Sequence, residues 1–408
     1  MEEENAHQAQ EENHNLPPGP GPECFKSATH EDFVCLLPDG KFSHQEYTVK
    51  TEDGYFLKLL RFQKKLESAD QKFDPQRHPV VLLPGLTSDG VGTFLTNSPS
   101  LAIGVILADN NFDVWLGNNR GCRFCREHET LDPREAEFWN YSFDQMAEFD
   151  LPSILKLVFE ETQKKSVVYG YSQGATQTIL ALSDSKIRPK VLPYINSLLG
   201  YGPALFANHP NREFEKDFKA SIEGMEAQGV PYFMIGSGVW DSDKAKVESE
   251  DLPEHVIDFL YQRFKAYNFN KNFLNWKRAF ILKALGVSGT SKVSYQHFHQ
   301  MMTAHDRQSN TVRKFDHGSE EKNKEAYGTP QPPAYDLSLL HEKCTFWIGL
   351  EDPFTFKEDM EDFKKKTPNA EVEMIYIEGW GHYSGFLGPH GLLQEQIVGK
   401  IQEHLSSE

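Results

Sequence analysis

The chain has 408 residues, with 42 Lys and Arg against 60 Asp and Glu, and its formal charge at pH 7 is −18. With 38% hydrophobic and 12% aromatic residues it can bury a large core, which excludes a fibrous repeat or a wholly disordered chain. A charge this negative repels the phosphate backbone of nucleic acids, so we expect no nucleic-acid partner. No apolar run approaches the ~18–20 residues of a membrane span, so we expect any contact with a membrane or lipid droplet to be peripheral.

Residues 1–30 form an acidic, proline-rich segment that is too polar to contribute to a core, and we expect a disordered tail. The segment has neither the basic stretch nor the apolar stretch of a secretory signal peptide. On that basis we expect a cytoplasmic or lipid-droplet-associated protein; the alternative is that this start is not the natural one.

After the tail, short apolar runs alternate with segments of helical periodicity. The predicted strands are residues 55–62, 78–83, 112–116, 166–169, 344–348 and 373–377. The predicted helices include residues 143–161, a segment through Thr176 to Leu182, and a final amphipathic helix over 392–405. Strands separated by helices indicate βαβ units, and therefore an α/β fold with a mostly parallel central sheet and helices on both faces.

Residues 203–316 interrupt this alternation with an aromatic-rich, largely helical stretch, which we interpret as an insertion between core strands. The core then consists of residues 31–202 and 317–408. The aromatic residues of the insertion include Phe206, Tyr232, Phe233, Trp240, Phe259, Phe264, Phe273, Trp276 and Phe280. They either line an apolar pocket of acyl-chain size or pack between helices, and the sequence leaves both interpretations open.

Gly170-Tyr-Ser-Gln-Gly174 is a Gly-x-Ser-x-Gly pentapeptide that occurs once in the chain. An apolar strand precedes it and a helical segment follows it, which is the setting of a nucleophile elbow. The turn is so tight that side chains at the two glycine positions would collide with neighbouring backbone. The sequence therefore predicts that Ser172 is a catalytic nucleophile; the alternative is a glycine-rich turn with an ordinary N-cap serine.

A nucleophilic serine needs a histidine base and a carboxylate that orients it, and in this fold the acid and then the histidine follow the serine along the chain. Asp352 comes directly after the predicted strand 344–348, and we predict that it is the acid. Its neighbour Glu351 is the main alternative. The aspartates that fit less well, because they precede the strand or lie in a charged helical stretch, are Asp336, Asp359 and Asp362.

His382 lies in Gly379-Trp-Gly-His-Tyr-Ser-Gly385, between the predicted strand 373–377 and the final helix. A loop at this position can bring an imidazole over the sheet towards the serine, so we predict that His382 is the base. His390 is the second candidate, although it fits better at the start of the final helix. The histidines of the insertion, for which we expect a helix-surface or pocket-lining role, are His297, His299 and His305.

The oxyanion of an acyl-transfer reaction needs backbone N–H donors. One donor follows the nucleophile, which makes it the N–H of Gln173, and the other comes from the loop after an early core strand. That loop contains Pro84 and Gly85, and we predict that Leu86 supplies the second N–H. A plain turn at the end of the strand is the alternative.

Cys122 and Cys125 form a Cys-x-x-Cys pair, which raises the question of zinc or redox chemistry. No second pair of this kind and no close pair of histidines accompanies it, so we expect ordinary loop cysteines and no bound metal. The five cysteines of the chain do not indicate a disulfide scaffold.

Together these residues resemble the acid lipase family of α/β-hydrolases, which includes lysosomal, gastric, plant and fungal lipases that act on triacylglycerols and steryl esters. The resemblance extends from Tyr47 to Gly385. The blocks that carry it are Tyr47–Tyr55, Leu107–Gly121, Glu137–Pro152 and Gly170–Gly174, and the first three are much more specific than the pentapeptide. Two departures from the family pattern are Pro84-Gly85, where the family has His-Gly, and a histidine loop that is richer in glycine.

The resemblance implies an α/β-hydrolase fold with a helical cap and the roles already given to Ser172, Asp352, His382, Leu86 and Gln173. We therefore expect a serine hydrolase that cleaves lipid esters through an acyl-enzyme and uses no cofactor. One alternative is an esterase or thioesterase for soluble acyl substrates. A less favoured alternative is a non-catalytic relative of the same fold that binds apolar ligands or partners.

Overall fold

The structure of the chain is a computed structural model. It describes residues 22–67, 71–205, 212–233, 254–264, 271–276, 278, 288–303, 311–389 and 391–406. Within these ranges, every helix is too short or too polar to cross a lipid bilayer.

The described residues form two β-sheets. The strands are β1 (Phe42–Lys50), β2 (Tyr55–Lys64), β3 (Pro79–Leu83), β4 (Asp113–Leu116), β5 (Glu127–His128), β6 (Ser166–Tyr171), β7 (Ile195–Tyr201), β8 (Tyr232–Phe233), β9 (Thr290–Ser291), β10 (Cys344–Gly349) and β11 (Val372–Ile377). The strands of the main sheet follow the order β1-β2-β4-β3-β6-β7-β10-β11, and β5 pairs with β2. β8 and β9 pair with each other as a separate antiparallel ribbon.

The α-helices in the described residues are α1 (Gly90–Phe94), α2 (Ile103–Asp109), α3 (Phe143–Gln145), α4 (Leu151–Thr162), α5 (Gln173–Leu182), α6 (Arg188–Val191), α7 (Arg212–Ala227), α8 (Glu254–Phe264), α9 (Lys292–Thr303), α10 (Glu320–Tyr327), α11 (Lys357–Lys366), α12 (Ser384–Leu387) and α13 (Leu392–Leu405). Short 3₁₀ helices span Pro22–Phe25, His30–Leu36, Ala136–Trp139, Lys271–Phe273 and Leu337–Leu339. A π-helical turn, Met146–Asp150, joins α3 to α4.

The main sheet is antiparallel at one edge and parallel through the rest. β1, β2 and β4 pair in antiparallel fashion, and all pairs from β4 to β11 are parallel. The register pairs Tyr171 with Tyr201 and Gly349 with Ile377, so these strands end at the same edge of the sheet. The loops that follow them therefore lie side by side, which is where α/β sheets bind ligands.

The α/β fold predicted from the sequence is confirmed, and each predicted strand is present within two residues of its expected ends. The sequence missed β1 at the antiparallel edge of the main sheet, and it missed β7, which lies between β6 and β10 and is buried along most of its length. The predicted helix over 143–161 is divided by the π-helical turn. The segment between β7 and β10 connects two neighbouring strands, as expected of an insertion, and its boundary at residue 316 stays a prediction.

The predicted tail needs a correction at its C-terminal end, because residues 22–30 lie against the core. Cys24 and His30 are buried. His30 Nδ1 lies 2.7 Å from a carboxylate oxygen of Glu46, and its Nε2 lies 3.0 Å from the amide nitrogen of Asn118. These polar contacts come from distant parts of the chain, so the composition of the segment does not reveal them. Residues 1–21 lie outside the described residues.

Some of the described aromatic residues of the insertion pack against one another, whereas the ring centroid of Tyr232 lies 5.6 Å from that of Phe25 and 5.3 Å from that of Trp139, both outside the insertion. Phe218 of α7 stacks on Tyr295 of α9 with ring centroids 4.5 Å apart. The ring centroid of Phe233 lies 4.2 Å from that of the same tyrosine. Phe273 instead lies against the histidine loop, where a β-carbon on Gly379 would overlap its ring. Phe233 therefore packs within the insertion, whereas Tyr232 and Phe273 contact residues outside it. Phe206, Trp240 and Phe280, and the side chains of Phe259 and Phe264, lie outside the described residues.

A buried arginine ties the start of the sheet to α4. The guanidinium of Arg120 donates two hydrogen bonds to Asp53, at 2.6 and 2.9 Å, and its Nε donates to Asp150 at 2.8 Å. The backbone N–H of Arg120 also donates to Asp150, at 3.0 Å, and the guanidinium carbon lies 4.1 Å from the ring centroid of Tyr55. The ion pairs raise the pKa of Arg120, which keeps it charged although it is fully buried.

Asp150→Ala should lower the free energy of unfolding by about 3–5 kcal/mol, because it leaves a buried guanidinium with only one of its two carboxylates. The measurement is the urea midpoint at constant m-value. Asp132→Ala removes the carboxylate of an exposed ion pair with Arg134 and is the matched control, which should leave the midpoint unchanged. Equal midpoints for the two variants would contradict the assignment of a stabilising network to Arg120.

Candidate active site

Ser172 occupies the turn between β6 and α5 in a strained backbone conformation. Its φ is 53° and its ψ is −118°, a region that L-residues rarely adopt. A β-carbon on Gly170 would overlap the backbone nitrogen of Ala175, and one on Gly174 would overlap the carbonyl oxygen of Leu83. The two glycines of the pentapeptide are therefore required by the geometry, as in a nucleophile elbow.

The three side chains predicted for catalysis form one chain of hydrogen bonds. His382 Nε2 lies 3.0 Å from Ser172 Oγ, and His382 Nδ1 lies 2.8 Å from Asp352 Oδ2. All three residues are buried, with exposed fractions of 3–7%. In this geometry an imidazole can remove the proton of the hydroxyl while the carboxylate holds the imidazole in the required tautomer.

The loop after β10 selects Asp352 over Glu351 as the partner of His382. The second carboxylate oxygen of Asp352 accepts the backbone N–H of Phe354 at 2.8 Å, which fixes the side chain. Glu351 uses its backbone N–H to bind the carbonyl of Trp380 and places no carboxylate at the imidazole. Asp336 caps the short 3₁₀ helix at Leu337–Leu339, and Asp359 and Asp362 lie on α11.

Two of the alternative histidines have positions away from the serine. His297 is buried where α9 meets the core; its Nε2 lies 3.0 Å from the carbonyl oxygen of Arg313 and its Nδ1 3.2 Å from Ser142 Oγ. Burial lowers the pKa of His297, so the imidazole is neutral there. His299 lies on the same helix and is partly exposed. His305 and His390 lie outside the described residues.

The loop that contains Leu86 runs directly beside the serine. A β-carbon on Gly85 would lie 3.2 Å from Ser172 Cβ and 3.0 Å from the ring of Tyr171, so the loop backbone lies in tight contact with both residues. Gln173 is the first residue of α5, a position whose N–H has no partner within the helix. The N-terminus of a helix also favours negative charge, which suits an oxyanion at this place.

Gly202, directly after β7, is a site residue that the sequence did not reveal. Its φ is +57°, and a β-carbon there would lie 2.9 Å from Asp352 Oδ2 and 3.2 Å from His382 Nδ1. A side chain at position 202 would therefore collide with the hydrogen bond between Asp352 and His382, so this position requires glycine. A strand signal at 195–201 followed by Gly-Pro would have pointed to this position.

Cys122 and Cys125 are both buried free thiols. Cys125 Sγ lies 3.3 Å from the backbone nitrogen of Lys58 and 3.9 Å from the carbonyl oxygen of Asn118. Burial raises the pKa of the Cys125 thiol well above its ordinary value, which disfavours a reactive thiolate. The described residues contain no cluster of three or more His, Cys, Asp or Glu side chains that could hold a metal ion.

A mostly parallel sheet in this strand order, with a serine on the elbow after β6 and an acid and a histidine after the last two strands, defines an α/β-hydrolase. The structure of DcsB in complex with its substrate analogue shares the fold, with a TM-score of 0.51 over 90% of this chain and 99% of that chain at 12% identity. A candidate aryl esterase from Burkholderia cenocepacia also has a TM-score of 0.51, at 15% identity, over 89% of this chain and all of that chain.

Lipase member M of Homo sapiens is 30% identical to the chain over 397 residues, which are 92% of this chain and 86% of that protein. Lysosomal acid lipase/cholesteryl ester hydrolase of Rattus norvegicus is 28% identical over 84% of this chain and 83% of that protein. No family model matches the chain. The chain belongs to the lipase family that includes these proteins, and it is a carboxylic ester hydrolase.

Gly202→Ala should lower kcat for a p-nitrophenyl ester by at least about tenfold, because the added methyl group displaces the acid or the imidazole. Gly40→Ala is the matched control, since Gly40 has a φ of +67° and no atom within 4 Å of the position of a β-carbon. Both variants place a β-carbon on a residue with positive φ, and only the β-carbon of Gly202→Ala would contact Asp352 and His382. A wild-type kcat in Gly202→Ala would show that the Asp352–His382 geometry tolerates this displacement.

Proposed function

We propose that this enzyme hydrolyses carboxylic esters of lipids through an acyl-enzyme on Ser172. The observation that carries the proposal is the chain of hydrogen bonds from Asp352 through His382 to Ser172 at the N-terminus of α5. The identity of the substrate class rests on the relatives, which are named as lipases and as lysosomal acid lipase/cholesteryl ester hydrolase.

In the first half of the reaction, Ser172 Oγ attacks the carbonyl carbon of the ester while His382 Nε2 takes the hydroxyl proton. Asp352 stabilises the imidazolium that forms. The backbone N–H groups of Leu86 and Gln173 donate hydrogen bonds to the oxyanion, each worth about 3–4 kcal/mol by analogy with other hydrolases. The intermediate then collapses, the bond to the alcohol oxygen breaks, and the alcohol leaves with the proton from His382.

In the second half, a water molecule attacks the acyl-enzyme with His382 as the base. The new tetrahedral intermediate releases the fatty acid and returns the proton to Ser172 Oγ. The residues named here supply the nucleophile, the base and the oxyanion donors, so these steps require no cofactor.

The surroundings of the imidazole support an apolar substrate. The ring centroid of Phe354 lies 4.4 Å from that of the His382 imidazole. Tyr383, the residue after His382, packs edge-to-face on Phe386. Phe273 of the insertion covers the histidine loop at Gly379. A lipid ester reaches this site from a droplet or membrane surface, and we propose that the enzyme contacts such a surface peripherally.

Ser172→Ala should lower the hydrolysis of p-nitrophenyl esters by more than about a thousandfold, because no nucleophile remains. It should also abolish labelling by a fluorophosphonate probe without lowering the melting temperature. Ser197→Ala is the matched control: Ser197 is buried on β7, and its hydroxyl has no partner among the described residues. Activity that persists in Ser172→Ala would remove Ser172 from the mechanism.

For a lipid substrate, kcat/KM should rise with acyl length from acetyl to octanoyl esters, by up to about fourfold per methylene that is fully buried. The same enzyme should hydrolyse emulsified triacylglycerol or cholesteryl ester faster than dissolved short-chain esters. The measurement is initial rate against acyl length, with the Ser172→Ala variant as the background. A preference for the shortest soluble ester or for a thioester would favour the alternative of an enzyme for soluble substrates.

A further inference from the structure

Two buried tyrosines hold the loop that carries the histidine. Tyr171 is the last residue of β6, and its hydroxyl donates to the carbonyl oxygen of His382 at 2.9 Å. Tyr201 is the last residue of β7, and its hydroxyl donates to the carbonyl oxygen of Gly381 at 2.8 Å. Neighbouring strands therefore anchor two consecutive carbonyls of one loop.

The packing around Tyr201 requires glycine at two positions, Gly385 in the histidine loop and Gly349 at the end of β10. A β-carbon on Gly385 would overlap the ring of Tyr201, and one on Gly349 would lie 2.6 Å from its hydroxyl. The ring can enter only because both positions lack a side chain. The backbone of the loop therefore lies close enough to Tyr201 to accept the hydrogen bond from its hydroxyl.

Tyr171 is in contact with both halves of the site. Its ring lies against Gly85 in the predicted oxyanion loop, 3.0 Å from the position of a β-carbon there. The same ring has its centroid 5.1 Å from that of the His382 imidazole and 5.0 Å from that of Phe386. Burial raises the pKa of both Tyr171 and Tyr201 well above the ordinary value, so both hydroxyls remain donors.

We propose that Tyr171 and Tyr201 are positioning residues that place the imidazole of His382 within reach of Ser172 by fixing the backbone of residues 381–382. This inference rests on the proposed function, because the two phenols position His382, the base of the proposed reaction. Reaction rates are sensitive to such placement: a displacement of about 1 Å at a catalytic group can cost about a hundredfold in rate.

The test compares three phenylalanine variants that each remove a single hydroxyl. Tyr171→Phe and Tyr201→Phe should lower kcat for a p-nitrophenyl ester by about tenfold to a hundredfold, with KM little changed. Tyr169→Phe is the matched control, since Tyr169 is fully buried on the same strand as Tyr171 and its hydroxyl has no partner among the described residues. It should retain the wild-type kcat.

Active-site titration with a fluorophosphonate normalises kcat to the number of folded sites, so a variant that only loses stability keeps its kcat per site. Wild-type kcat per site in both Tyr171→Phe and Tyr201→Phe would overturn the proposal, as would an equal loss in Tyr169→Phe. Each of the two positions serves as the second test if the variant at the other fails to fold.

A double-mutant cycle tests whether the hydroxyl of Tyr171 acts through the histidine. Tyr171→Phe should slow fluorophosphonate labelling in the wild-type background and have no further effect in the His382→Ala background. The same slowing in both backgrounds would refute the positioning role. A wild-type enzyme that the probe does not label would instead refute the proposed function, and the inference with it.

Discussion

The backbone conformation at Ser172 is the constraint on which the rest of the site depends. A φ of 53° at a residue with a side chain is held there by the surrounding structure: the serine N–H donates to the carbonyl of Tyr201, and the two glycines allow α5 to begin immediately. This conformation raises the hydroxyl above the carboxyl edge of the sheet. The loop after β11 then brings His382 to the hydroxyl, the loop after β10 brings Asp352 to His382, and Gly202 after β7 lies beside this pair.

Much of the site was predictable because each of its three main side chains follows an apolar strand, and parallel strands end at a common edge. The Gly-x-Ser-x-Gly pentapeptide predicts Ser172, the loops after two later strands predict Asp352 and His382, and the structure brings the three together. β7 escaped prediction because Asn196, Ser197 and Gly200 weaken its apolar pattern, although the strand is largely buried. Gly202 and the contacts of His30 depend on pairings between distant segments, which local periodicity does not encode.

The structure shows what several residues in the blocks that resemble the acid lipases contact. Three of the four blocks each supply one member of the buried network around Arg120: Asp53, Arg120 itself and Asp150. None of these side chains takes part in the hydrogen bonds of the candidate catalytic residues. The more specific blocks thus contribute to the anchoring of α4 to the sheet, whereas the candidate catalytic residues lie in short motifs of lower specificity.

The 210 residues that separate Ser172 from His382 along the chain have a consequence for biosynthesis. During translation, the elbow and its helix are complete long before β11 leaves the ribosome, and the imidazole arrives only after the whole insertion has been made. The Ser172 hydroxyl therefore has no His382 partner while the next 210 residues are synthesised. On the proposed mechanism, hydrolysis requires the loop that follows β11, so a truncated product that lacks this loop should not hydrolyse esters.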